Sequence, residues 1–64
     1  MKYLVYNGSM EAWINANVQS GAIKHIGLAE NSLYATRYYR DIAEMVAVFI
    51  EGSILIPESL INNY

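Results

Sequence analysis

A chain of 64 residues that contains no cysteine must hold itself together by packing alone. At this length folding hides only about 60% of the surface that the unfolded chain exposes, which leaves room for one domain, residues 1–64, with a small core. Natural chains of this size commonly add a disulfide, a metal or a partner subunit, because such a core rarely supplies more than roughly 3–5 kcal/mol. Composition excludes disulfides and thiolate metal sites. The single histidine, His25, has no neighbour at ligand spacing, so no metal and no cofactor are expected. Oligomerisation is the remaining reinforcement. In keeping with it, 55% of the residues are hydrophobic and 16% charged, against about 25% charged in typical soluble domains.

The formal net charge is −2, and Lys2, Lys24, Arg37 and Arg40 are the cations. This balance speaks against a nucleic-acid coat, whose affinity grows with the phosphates neutralised, and equally against an anionic membrane surface. No charged and then apolar leader opens the sequence, and no apolar run approaches the ~20 residues of a membrane span. The expected location is cytoplasmic.

Lys2–Tyr6 (KYLVY) is β-branched and aromatic and stops at Asn7-Gly8, which reads as a first strand entering a turn. Ser9 then reads as an N-cap. Met10, Trp13, Ile14, Asn17 and Val18 fall at helical spacing behind it, with Ser20-Gly21 ending the run. Ala22–Leu28 reads as a second strand, with a bulge or close approach at Gly27. Over Asn31–Ile42 two periods compete. A helix capped by Asn31 or Ser32 sets Ala35, Tyr38, Tyr39 and Ile42 on one face, whereas a strand over residues 31–40 would leave one helix on a mostly antiparallel sheet. The helix is preferred. Met45–Ile50 (MVAVFI) and Ser53–Ile56 (SILI) flank Glu51-Gly52 and read as a β-hairpin that Pro57 closes, before a short tail, Leu60–Tyr64. The expected class is α+β: a small β-α-β-α-β-β domain with a three- to four-stranded sheet and a C-terminal hairpin.

Both hairpin runs are almost continuously apolar, the pattern of strands covered on both faces. One chain with two short helices lacks that cover. A second copy would supply it, which marks Val46, Val48, Phe49, Ile54 and Ile56 as the candidate oligomer interface, in a dimer or a larger closed assembly.

Tyr34, Thr36, Arg37, Tyr38, Tyr39 and Arg40 form the least ordinary segment. Arginine offers a planar fork to phosphate or carboxylate, and tyrosine a rigid stacking face. Tyr34, Thr36, Arg37, Tyr38 and Arg40 are therefore the candidate ligand- or partner-binding residues. His25 would head any acid–base chemistry, yet its nearest acid in sequence is Glu30. The acids Glu11, Glu30, Asp41, Glu44, Glu51 and Glu58 stand singly, Glu44 and Glu58 reading as solvated boundary charges. No catalytic residue is assigned. Trp13 reads as core. Asn7-Gly8-Ser9 matches a glycosylation acceptor that lapses without a secretory signal, and it also sets amides at an expected helix start where an anion would fit.

The leading expectation is a small binding protein without catalytic activity. It would regulate or inhibit a protein partner, in the style of phage or mobile-element products that block a host enzyme or defence system. The alternative is an oligomeric binder that sequesters or senses an anionic small molecule such as a nucleotide. A minimal enzyme using His25 ranks third.

Overall fold

Strand β1 (Lys2–Asn7) is the axis of the fold. In the computed structural model, which describes residues 1–61, it sits in a five-stranded antiparallel sheet with β2 (Ala12–Gln19), β3 (Ala22–Ala29), β4 (Tyr38–Tyr39) and β5 (Ser53–Pro57). A 3-10 turn (Ser32–Tyr34), helix α1 (Arg40–Phe49) and a short helix α2 (Glu58–Ile61) complete the described chain. The α+β class is as expected.

Along one edge β1 pairs with β5, from Tyr3 with Pro57 to Asn7 with Ser53. Its other edge is divided: β2 takes Tyr6 and Asn7, and β4 takes Lys2 and Tyr3. Strand β2 therefore leaves β1 after its first residues and continues with β3 as its ladder partner. The segment before α1 enters the split so formed.

Paired residues share a face of a sheet. Val5, Ile14 and Ala16 lie beneath α1 and form the core with Tyr38, Ala43 and Val46, flanked by Ile26, Ile42, Ala47, Ile50 and Leu55. The opposite face carries Leu4, Tyr6, Trp13, Ile54 and Ile56. There Leu4 is fully buried, and the rings of Tyr6 and Trp13 meet edge to face at 5.0 Å. Helix α1 has no side-chain cap, but Asp41 in its first turn suits the positive end of the helix dipole. It ends where Gly52, at φ +90°, turns the chain into β5.

Four expectations need correction. Residues 10–18 are not a helix, and Ser9 caps nothing: Ile14, Ala16 and Val18 alternate with Asn15, Asn17 and Gln19, the period of a half-buried strand. Ser20 (φ 53°) and Gly21 (φ 75°) form the two-residue turn of the β2–β3 hairpin, both in the left-handed region that such a turn requires. Met45–Ile50 is not a strand. It lies largely in α1, so Glu51-Gly52 joins a helix to a strand and the expected C-terminal hairpin is absent, while Ser53–Ile56 is a strand as expected. Residues 31–42 are neither one helix nor one strand but a 3-10 turn, a two-residue strand and the start of α1. The bulge in β3 is at Lys24, which has no partner between the pairs Asn17–His25 and Val18–Ile23, and not at Gly27. A Cβ at Gly27 would lie an ordinary 3.8 Å from Asn15 O. Of the tail, α2 covers residues up to Ile61 and residues 62–64 fall outside the description. No described helix is long and apolar enough to cross a membrane.

Candidate functional site

The split between β1 and β2 leaves backbone groups of β2 without a neighbouring strand, and Tyr38 supplies the missing partner. Its buried hydroxyl donates to Ile14 C=O and accepts from Ala16 N–H, both at 2.7 Å. Burial raises the pKa of this phenol above its usual value, while the Ala16 amide and the Thr36 side chain act in the opposite direction.

One residue further along, the Asn15 side chain grips the segment before β4. Its Nδ2 donates to Tyr34 C=O at 2.9 Å and its Oδ1 accepts from Thr36 N–H at 2.7 Å. Arg37 grips the same segment from within, its guanidinium donating to Ser32 C=O and Ala35 C=O at 2.7 Å each. Its Nε faces Glu58 Oε2 of α2 at 3.1 Å. Asn31 Oδ1 accepts from Leu33 N–H and closes the start of the turn. The result is a 3-10 turn fastened at Ser32, Leu33, Tyr34, Ala35 and Thr36. It presents Leu33 and Tyr34 to solvent, at 73% and 76% exposure.

The structure thus divides the residues expected to bind a ligand. Thr36, Arg37 and Tyr38 line an open groove of about 220 Å³ with Ala16, Val18, Tyr39 and Ile42. Tyr34 projects from the turn. Arg40 lies exposed on α1, 3.6 Å from Glu44 one turn on. Arg37 and Tyr38 act inward. Glu58, expected to be a solvated boundary charge, is the counter-ion of Arg37. Tyr39 is exposed on β4 and takes the Lys2 ammonium 5.1 Å above its ring.

Among the residues expected at an oligomer interface, Val46 is fully buried in the chain's own core and is unavailable to a partner. The outer side of α1 exposes Val48 and Phe49, Ile54 is 55% exposed, and Ile56 is half-buried. Two strands that need cover on both faces are not present, since Met45–Phe49 lies in α1.

His25 is exposed and borders a second shallow groove with Asn15, Asn17 and Thr36. No carboxylate lines it. Among the described residues no group of three or more His, Asp or Glu side chains converges on a metal position. Trp13 is half-buried beside Tyr6.

Asn7 corrects the reading of Asn7-Gly8-Ser9. No helix begins there, so there is no helix-start anion site. The amide of Asn7 is fully buried: Nδ2 donates to Glu51 C=O and Ser53 Oγ, and Oδ1 accepts from Met10 N–H. It ties the β1–β2 turn to the α1–β5 turn. The anchoring roles of Asn15 and Asn7 are not visible in the sequence, because Tyr34, Thr36, Glu51 and Ser53 lie far from them along the chain, and nothing local marks Leu33 as the exposed tip of a turn. The alternation over Ile14–Gln19 was the one local sign that Asn15 stands on a strand. Comparison with protein-family models, with curated proteins and with solved structures finds no match to this chain.

Proposed function

We propose that the protein is a binding module without catalytic activity, recognising a protein partner through the turn that carries Leu33 and Tyr34. The observation that carries this reading is the number of anchors on so short a turn: five side-chain hydrogen bonds, from Asn15, Asn31 and Arg37, hold it while its two largest side chains face water. Ordering a binding loop beforehand removes an entropic cost of association, and tyrosine is among the side chains that supply most of the energy at protein interfaces.

The small-molecule alternative has less support. Arg37, the one arginine in the groove, already faces Glu58 and two carbonyls, which leaves little charge for a phosphate. Regulation or inhibition of the partner remains part of the proposal.

The test is capture of proteins from the source cell by the wild-type chain and by a Leu33→Ala/Tyr34→Ala variant. Because both side chains are exposed, the variant should keep its thermal midpoint and lose the captured protein. Equal capture by the two chains would overturn the reading, as would a thermal shift with nucleotides that Arg37→Ala abolishes.

A further inference from the structure

Two of the outer strands of the sheet, β3 and β5, are protected very differently. Strand β3 carries Lys24 and His25 and the bulge at Lys24, devices that discourage a further strand from adding. Strand β5 reads Ser-Ile-Leu-Ile-Pro, with no charge and an unbroken register against β1. Among the described residues no strand pairs with its outer edge.

The backbone groups on that edge follow from Pro57. Proline has no N–H, so its pairing with Tyr3 is not a hydrogen-bonded one. The alternation of an antiparallel ladder then assigns the bonds with β1 to Ile54 and Ile56. Ser53, Leu55 and Pro57 turn their backbone groups outward. Ser53 N–H is engaged by Ile50 C=O at 3.3 Å, which leaves the amide and carbonyl of Leu55, among the described residues, as the free donor and acceptor at the middle of the edge.

We infer that a second copy of this chain pairs with this edge, β5 against β5 and antiparallel, about a two-fold axis at Leu55. The strand is close to a palindrome. In this register Leu55 N–H of each copy donates to Leu55 C=O of the other, and Ile54 of each copy lies opposite Ile56 of its partner. Like meets like, with no charge brought into the contact. Two-fold pairing satisfies both free Leu55 groups with identical ones, and it covers Ile54, which one chain leaves 55% exposed. The pairing joins two sheets into one. It uses a surface separate from Leu33 and Tyr34, so it stands or falls independently of the partner-binding reading.

Sedimentation of the wild-type chain at micromolar concentration should give about twice 7.2 kDa, and Ile54→Lys should give a folded monomer by circular dichroism. A monomeric wild type, or an Ile54→Lys variant that still dimerises, would overturn the proposal. The absence of native cysteine gives a second test that tolerates a misfolded lysine variant. Mixed under mild oxidation, Ile54→Cys and Ile56→Cys chains should form a mixed disulfide much faster than either variant links to itself, because opposite residues of a non-hydrogen-bonded pair stand only about 4.5 Å apart at Cα. No preference for the mixed species would reject the register and the proposal with it.

Discussion

Tyr38 and Asn7 show how a core this small uses polar atoms. Each replaces a missing piece of backbone ladder: Tyr38 where β2 leaves β1, Asn7 where two turns meet. Tyr38→Phe keeps the ring but leaves Ile14 C=O and Ala16 N–H unpaired. The expected loss is about 1–3 kcal/mol, the cost of stranding buried polar groups, read from urea denaturation at neutral pH. The sign of the pH dependence follows from the raised pKa. A folded-state value above the unfolded one means that the native state holds the proton more tightly. The associated stability is present below the unfolded value of about 10 and disappears as pH rises through the folded one. As pH rises past the unfolded value of about 10, the wild type should therefore lose more stability than Tyr38→Phe.

At the scale of the element, α1 and β2 exchange the roles that their composition suggests. Val46 and Val48 make the distinction measurable. In a strand they would share a face; in a helix they stand about 200° apart. Val46→Ala should cost roughly 2 kcal/mol or more, whereas Val48→Ala, at 85% exposure, should stay within about 0.5 kcal/mol. Similar losses at both positions would contradict the helix. The run MVAVFI reads as a strand because it is β-branched and continuously apolar, and composition alone does not separate a buried strand from a helix with apolar residues on both sides. The helical period lies in Ala43, Val46, Ala47 and Ile50, beginning upstream of that run. In β2 the opposite happened: Trp13, Ile14 and Val18 fit a helical template, and the stricter alternation from Ile14 to Gln19 carried the true period. Strands β1, β3 and the SILI segment were legible because turn residues bound each of them. The tyrosine–arginine segment was legible as unusual. Its roles were not, since Arg37 and Tyr38 are turned inward by partners at Glu58, Ile14 and Ala16 that no local spacing reveals.

Across the whole molecule, the segment from Asn31 to Tyr39 is held on β2 by polar contacts more than by a core of its own. Arg37 is its hub, with one bond reaching α2. Replacing Arg37 with Met should quicken amide exchange at Leu33 and Thr36 and leave the ladder amides of Leu4, Tyr6, Ile54 and Ile56 protected, as local opening without global unfolding does. Equal exchange in the variant and the wild type would show that the turn does not depend on Arg37.

The pairing of Tyr3 with Pro57 also sets an order of events. The β2–β3 hairpin closes around Ser20-Gly21 from neighbouring residues and forms on the microsecond scale of isolated hairpins. Strand β1 emerges from a ribosome long before β5 exists, and until residue 57 is made its second edge stays bare. The central strand is thus the last to be sealed. A nascent chain passes its most adhesive stage late in synthesis, and the strand that ends this stage is the same one whose outer edge no described strand of its own chain covers.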